Sequence, residues 1–318
     1  MPPVPITLDQ IQSARSRIED AVTRTPLVRF GTSGPGEIWL KLENRQPIGS
    51  FKLRGAGSAM TLLAPEELAD GVWTASAGNM AQGVAWYARR LGVPATVVVP
   101  ETAPKAKLDA IARLGATIVK APFADWFETF RSRRYPGIDG LFVHAFEDPA
   151  VMAGNGTIAL EIDEELPAVD RLLVPYGGGG LACGIASAFR GLGRRTEVLA
   201  TEVETGAPFA AALAAGRPID IDYRPSFVDG IGGPFVFPEM FERARDLLHG
   251  SLVVSVAATA EAVRLLYEEH GEVAEGAGAT SLAAALDCPI GGVTVCVVSG
   301  GNLDRAKLET IVEGGIPG

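Results

Sequence analysis

Two open three-layer α/β domains with mainly parallel sheets are what this sequence predicts, on three observations. The 318 residues fill two domains at about 150 residues each and leave ample core. Short apolar runs of β type alternate with helical patterns along most of the chain, which calls for right-handed βαβ crossovers. Several strand-to-helix junctions are rich in glycine, which lets backbone pass close to a bound group.

The elements follow in order. Thr7-Leu-Asp-Gln10 is a capping box that opens a helix carrying Ile11, Ala14, Ile18 and Val22 at helical spacing, and Pro26 ends that segment. A strand over 37–43 comes next. Strands are then predicted over 71–75, 95–99, 117–120 and 141–145, with helices over 53–63, 79–91, 104–114 and 123–134. A second series has helix 151–165, strand 171–176, helix 180–191, strand 197–202 and helix 206–215. Strand 251–255, helices 258–269 and 276–286, and strand 293–299 close it. The long irregular stretch 217–238 carries Gly230, Gly232 and Gly233, and a loop of that length is more often functional than idle. Two such units facing each other place a cleft at the carboxyl ends of both sets of strands.

Composition narrows the chemistry. Hydrophobic residues make up 47% and charged residues 21%, the balance of a globular chain. No apolar run approaches the roughly 18 residues of a membrane helix, and a net charge of −10 disfavours a general nucleic-acid binder. The N-terminus lacks the basic and apolar regions of a secretion signal. Cys183, Cys288 and Cys296 show no CxxC spacing, so a reducing cytoplasm is the expectation. His144, His249 and His270 are the only histidines and lie far apart, which argues against histidine-led or metal catalysis. Lysine chemistry has few candidates: Lys41, Lys52, Lys105, Lys107, Lys120 and Lys307.

Four junctions carry the chemistry. In the first, a buried strand runs into Gly177-Gly-Gly-Gly180 and a helix. Successive backbone N–H groups there converge on an anion, and the helix N-terminus favours negative charge. A tight turn at positive φ is the competing explanation, although one glycine suffices for that. The same loop, as Gly177-x-Gly179-x-x-Ala182 with Glu202 about 20 residues on, also fits a dinucleotide fingerprint, so an NAD-dependent dehydrogenase is an alternative. In the second, Ser50-Phe51-Lys52-Leu-Arg54-Gly-Ala56 puts a lysine at a helix start. The helix end and desolvation in a cleft both disfavour its ammonium form, which suits a Schiff-base lysine, although this motif taken alone is more often an ordinary surface lysine. In the third, Ser76-Ala77-Gly78-Asn79-Met80 again meets a helix N-terminus, suited to a carboxylate or to simple capping. The fourth, Ser299-Gly300-Gly301-Asn302, closes the last strand, and Glu275 is a further polar cleft group or a helix cap.

Taken in this order, from Arg24-Thr-Pro-Leu27 to Asn302, these motifs resemble the fold-type II pyridoxal-phosphate (PLP) enzymes, whose architecture is that of the tryptophan synthase β chain. The likeness is closest to threonine/serine dehydratases, with serine racemases as near relatives. The resemblance implies a large cofactor-binding domain over 1–48 and 147–318 and a small mobile domain over 49–146. It implies that Lys52 holds PLP as a Schiff base and moves the substrate Cα proton. Phe51, Asn79, Gly177, Gly178, Gly179, Gly180, Leu181, Glu275, Ser299 and Gly300 complete the implied cofactor set, with Phe51 near the ring, Asn79 at its hydroxyl and Ser299 at its nitrogen. Ser50, Ser76, Ala77, Gly78, Asn79 and Met80 form the implied substrate set.

The implied reaction is β-elimination from a small β-hydroxy amino acid, threonine before serine, to a 2-oxo acid and ammonia, in a homodimer. Met80 stands where these dehydratases carry histidine, which keeps hydroxyaspartate and phenylserine open as substrates. Ala77 stands where eukaryotic-type racemases carry serine, which weakens the racemase alternative. Pro208 stands where their metal loop has an aspartate, and no metal is expected. A β-replacement synthase and a catalytically silent amino-acid-binding protein are the remaining alternatives.

Overall fold

The computed structural model describes residues 4–31, 36–289 and 291–318; Met1 to Pro3 of the N-terminal segment lie outside the described residues. Helix α1 (Leu8–Ile18) opens on the expected capping box, with Gln10 N donating to Thr7 Oγ1 and Thr7 N to Gln10 Oε1. Its buried stripe is Ile11, Ala14 and Ile18, the spacing that one helical face requires.

The described strands form two sheets. The larger has the order β1 (Leu27–Phe30), β2 (Gly36–Leu42), β10 (Gly292–Val298), β7 (Arg171–Pro175), β8 (Glu197–Val203) and β9 (Ser251–Val254). Its β1–β2 pair is antiparallel, with Leu27 opposite Lys41, and the others are parallel. The smaller sheet, β5 (Thr117–Ala121), β4 (Ala95–Pro100), β3 (Val72–Ala75) and β6 (Leu141–Phe142), is parallel throughout.

Side-chain alternation makes each sheet the middle of three layers. In the large sheet Leu172, Val174, Val295 and Val297 join a core with α1, α6 (Pro149–Glu165), α7 (Gly180–Gly191), α8 (Pro208–Ala215) and α9 (Pro238–Leu247). Leu173, Cys296 and Val298 face the other way, against α10 (Val256–His270), α11 (Gly276–Asp287) and α12 (Arg305–Val312). In the small sheet Val97 and Val99 pack toward α3 (Asn79–Leu91) and α4 (Lys105–Arg113), whereas Trp73 and Val98 pack toward α5 (Phe123–Ser132). Helix α2 (Lys52–Met60) lies between the sheets, packed on both α3 and α6.

The differences from expectation are local. Strand β6 stops at Phe142 instead of running to residue 145, because Phe146 N and Glu147 N turn back to donate to His144 Nδ1 at 3.3 and 2.8 Å. The edge strand β1 and helices α9 and α12 were not anticipated; β1 has four residues and α12 buries only Ile311, too little pattern to read. The loop between α8 and α9 is indeed irregular, yet Phe227 and Val228 within it are buried. It also touches the small-sheet side: Lys107 on α4 pairs with Asp229 at 3.1 Å, and Phe127 on α5 meets Phe235 at 5.9 Å. No helix among the described residues is long and apolar enough to cross a membrane.

Candidate active site

Lys52 is the first residue of α2. Its half-buried side chain sends Nζ to Ala145 O at 2.7 Å, and the amine lies 5.1 Å from the centre of the Phe51 ring. Burial lowers its pKa to about 8, with the Glu275 carboxylate pulling the other way. The dominant cause is loss of water, which penalises the ammonium directly.

Three junctions close around this lysine through direct contacts. Phe51 N donates to Ser299 O at 3.0 Å, and Ser50 bridges to Gly300. Asn79, at the start of α3, donates through Nδ2 to Glu275 Oε1 at 2.8 Å and accepts through Oδ1 from Asn302 Nδ2 at 2.7 Å. Asn302 Nδ2 also donates to Ile48 O at 2.9 Å. A Cβ at Gly300 would fall 2.6 Å from Glu275 Oε1 and would displace that carboxylate from its place beside Asn79. Glu275 sits at the N-cap position of α11, but its side chain does not cap the helix; it serves Asn79 instead.

The glycine loop joins this group through the residue after Ala145. A Cβ on Gly178 falls 2.2 Å from the Phe146 ring and one on Gly180 falls 2.6 Å from Phe146 O; Gly179 alone of the four has a positive φ, +85°. Turn geometry and packing thus account for three of the glycines. What they do not account for is the backbone: the N–H groups of Gly177 to Leu181 donate to no other group among the described residues, and they open the N-terminus of α7. Bare N–H groups at a helix start form an anion cradle.

The third junction is more divided. Ser76 Oγ accepts from Gly78 N at 3.2 Å, and Gly78 has open space beside its Cα. Met80 is only 1% exposed and packs in the core with Leu53 and Val84. Its thioether is turned away from solvent, so the expected apolar change at the substrate end does not come from that side chain; only its backbone is left at the helix start. Leu181 is likewise turned into the core at 5% exposure and offers only its N–H. Ala77 is half-buried and carries no hydroxyl.

Glu202 removes the basis of the dehydrogenase alternative. Its carboxylate is fully buried, accepting from Phe209 N at 2.9 Å, Ala210 N at 2.8 Å and Ser251 Oγ at 2.6 Å. It caps α8 and is not free to hold a ribose. Among the described residues no group of three or more His, Cys, Asp or Glu side chains is arranged to hold a metal ion.

Sequence reasoning missed three contributors. Ala145 acts through a carbonyl that no side-chain pattern reveals, and His144, dismissed as isolated, holds the turn that presents it. Arg54, two residues past Lys52, is fully buried and paired to Glu43 and Glu161 at 2.8 and 2.6 Å. An arginine on the apolar face of a predicted helix was the available signal for the last.

Glu275 yields a prediction. Burial, helped by Asp229, raises its carboxyl to about 7. A raised carboxyl pKa means the folded state binds the proton more tightly, so stability falls as pH rises from 4.5 through 7. Glu275→Gln keeps an acceptor for Asn79 and removes that loss. Unfolding by denaturant at pH 5 and pH 8 is expected to show the variant gaining about 1–2 kcal/mol on the parent at the higher pH, the partial exposure of the group included. Identical pH slopes would count against it.

The chain matches the family of pyridoxal-phosphate dependent enzymes over residues 18–300 and belongs to it. It is 40% identical over 321 residues to the L-threonine ammonia-lyase of Geobacter sulfurreducens and 38% identical over 319 residues to that of Thermotoga maritima, covering 98% of this chain and 79% of the relative in both cases. Its fold superposes on maize serine racemase with a TM-score of 0.87 at 29% identity, covering 98% of each chain. The fold is accordingly that of the fold-type II enzymes, and PLP is the family's cofactor. The residues present fit that group: an amine held near 8, an unpartnered N–H cradle and an amide on the cleft side.

Proposed function

We propose that this protein is a PLP-dependent ammonia-lyase that converts a small β-hydroxy amino acid, threonine first and serine second, to a 2-oxo acid and ammonia. The observation that carries it is Lys52: a half-buried amine with its pKa lowered to about 8, beside a bare N–H cradle. The two relatives named L-threonine ammonia-lyase support the substrate class.

Bound PLP supplies an electron-withdrawing ring conjugated to the substrate nitrogen, which acidifies the Cα–H bond. Lys52 anchors the cofactor and then takes the Cα proton; an amine near 8 is partly free base at neutral pH, as a general base must be. Gly177 to Leu181 would hold the phosphate through their N–H groups, Phe51 would pack beside the ring, and Ser299 would meet its nitrogen. Asn79, fixed by Glu275 and Asn302, would meet the ring hydroxyl, and Gly300 would leave room for that contact. Ser50, Ser76, Ala77, Gly78 and the backbone of Met80 border the substrate carboxylate. Loss of the Cα proton and the β-hydroxyl releases water and an enamine, and hydrolysis of its imine form liberates ammonia and the 2-oxo acid. Within residues 49–146 the small sheet and its flanking helices are the part that moves and excludes water on closure, whereas α2 stays with the large sheet, to which Arg54 ties it through Glu43 and Glu161. A homodimer in a reducing cytoplasm completes the proposal; three free cysteines, two of them buried, are consistent with it.

A racemase is the second reading, favoured by the likeness to maize serine racemase and opposed by Ala77, which supplies no acid–base group. The test is a panel of L-threonine, L-serine, 3-hydroxyaspartate and phenylserine scored for 2-oxo acid, with chiral analysis of the remaining substrate. Threonine is expected to lead. No 2-oxo acid from any of the four would sink the lyase reading, and D-serine formed without it would install the racemase.

A further inference from the structure

We propose that His144 is a positioning residue that sets Lys52 and the glycine loop at a fixed separation; this rests on the reading that both hold the cofactor. The imidazole is fully buried. Its Nδ1 accepts two backbone N–H groups, from Phe146 at 3.3 Å and Glu147 at 2.8 Å, so that nitrogen carries no proton and the ring is neutral with its proton on Nε2. Burial, with Arg133 next, lowers its pKa to about 3, which keeps it an acceptor throughout the working range.

The turn wound on this acceptor carries two contacts of opposite destination. Ala145 O, one residue past His144, takes Lys52 Nζ at 2.7 Å. Phe146, the next residue, supplies the ring on which Gly178 rests and the carbonyl beside Gly180; its ring meets the imidazole edge-on at 4.6 Å. One side chain thus registers the amine that anchors the cofactor against the cradle for its phosphate. Neither contact touches His144 itself, which is why its role is positional and not catalytic.

The experiment compares His144→Asn, which keeps an acceptor where Nδ1 stands, with His144→Gln and His144→Leu, which do not. Two readouts are taken: PLP affinity of apoprotein by absorbance titration, and the pH dependence of Lys52 acylation in apoprotein, read by peptide mass. The Asn variant is expected within about threefold of the parent in affinity. The Gln and Leu variants are expected to bind roughly tenfold or more weakly, with the Lys52 midpoint rising by about one pH unit as water enters the turn. If Leu does not fold, Gln carries the comparison. A folded Gln or Leu variant with parental affinity and a parental Lys52 profile overturns the proposal. If the parent itself binds no PLP, the lyase reading falls, and Lys52 acylation still decides the role of His144.

Discussion

Lys52→Ala is expected to lower turnover of threonine to 2-oxo acid by at least about 10³-fold, because one amine serves as both anchor and base. Borohydride treatment of the parent with PLP is expected to leave a pyridoxyl group on the peptide containing Lys52, and none on the variant. The substitution should not unfold the protein. The amine is held below its ordinary pKa by burial, so the folded state bears a cost for it, and removing it is expected to leave stability unchanged or raised. A variant that retains turnover within tenfold of the parent would take this lysine out of the chemistry.

Arg54→Ala is expected to have the largest effect on stability, about 3–5 kcal/mol. The guanidinium donates to both oxygens of Glu43 at 2.8 Å, to Glu161 at 2.6 and 3.0 Å, and to Thr157 Oγ1 at 3.1 Å. Lys41 joins the same cluster, donating to Glu161 Oε2 and Thr25 O at 2.7 Å each. Two cations and two carboxylates balance in a buried cluster. Among the described residues, deleting Arg54 leaves the Glu43 carboxylate hydrogen-bonded to Thr25 and Gln46 and without its paired cation. At this chain length the melting temperature should fall by roughly 10 °C. Denaturant unfolding checks it, and a loss below 1 kcal/mol would mean that the site relaxes to admit water. Arg54→Lys should recover only part, since an ammonium cannot supply both planar forks. The cluster ties α2 to β2 and α6, so the helix that presents Lys52 is anchored to the large-sheet side of the cleft.

The parallel α/β class, the order of nearly all the elements and the four glycine- and serine-bearing junctions were legible in the chain. All of them rest on local rules: period two against period 3.6, a capping box at Thr7 and Gln10, glycine where strands turn into helices. Lys52 is one of only six lysines, but its own motif reads equally as a surface lysine; it was the order of the four motifs, through their resemblance to the fold-type II enzymes, that singled it out. The shape of its surroundings was not. Residue 145 contributes a carbonyl, which every residue has, and His144 acts on it across a turn that begins where a strand was expected to continue. Met80 reads as a pocket residue by position, yet the helix rotation that puts Asn79 toward Glu275 sends the next side chain into the core. Glu202 reads as a ribose ligand by spacing, yet the start of α8 folds back over it and takes both oxygens. In each case the deciding contact joins residues far apart in the chain or depends on which way a backbone turns. Periodicity and composition report which face of an element is apolar; they carry no information on which distant group fills the remaining hydrogen-bonding valences, and that was settled only when the two sheets and the helix between them came together.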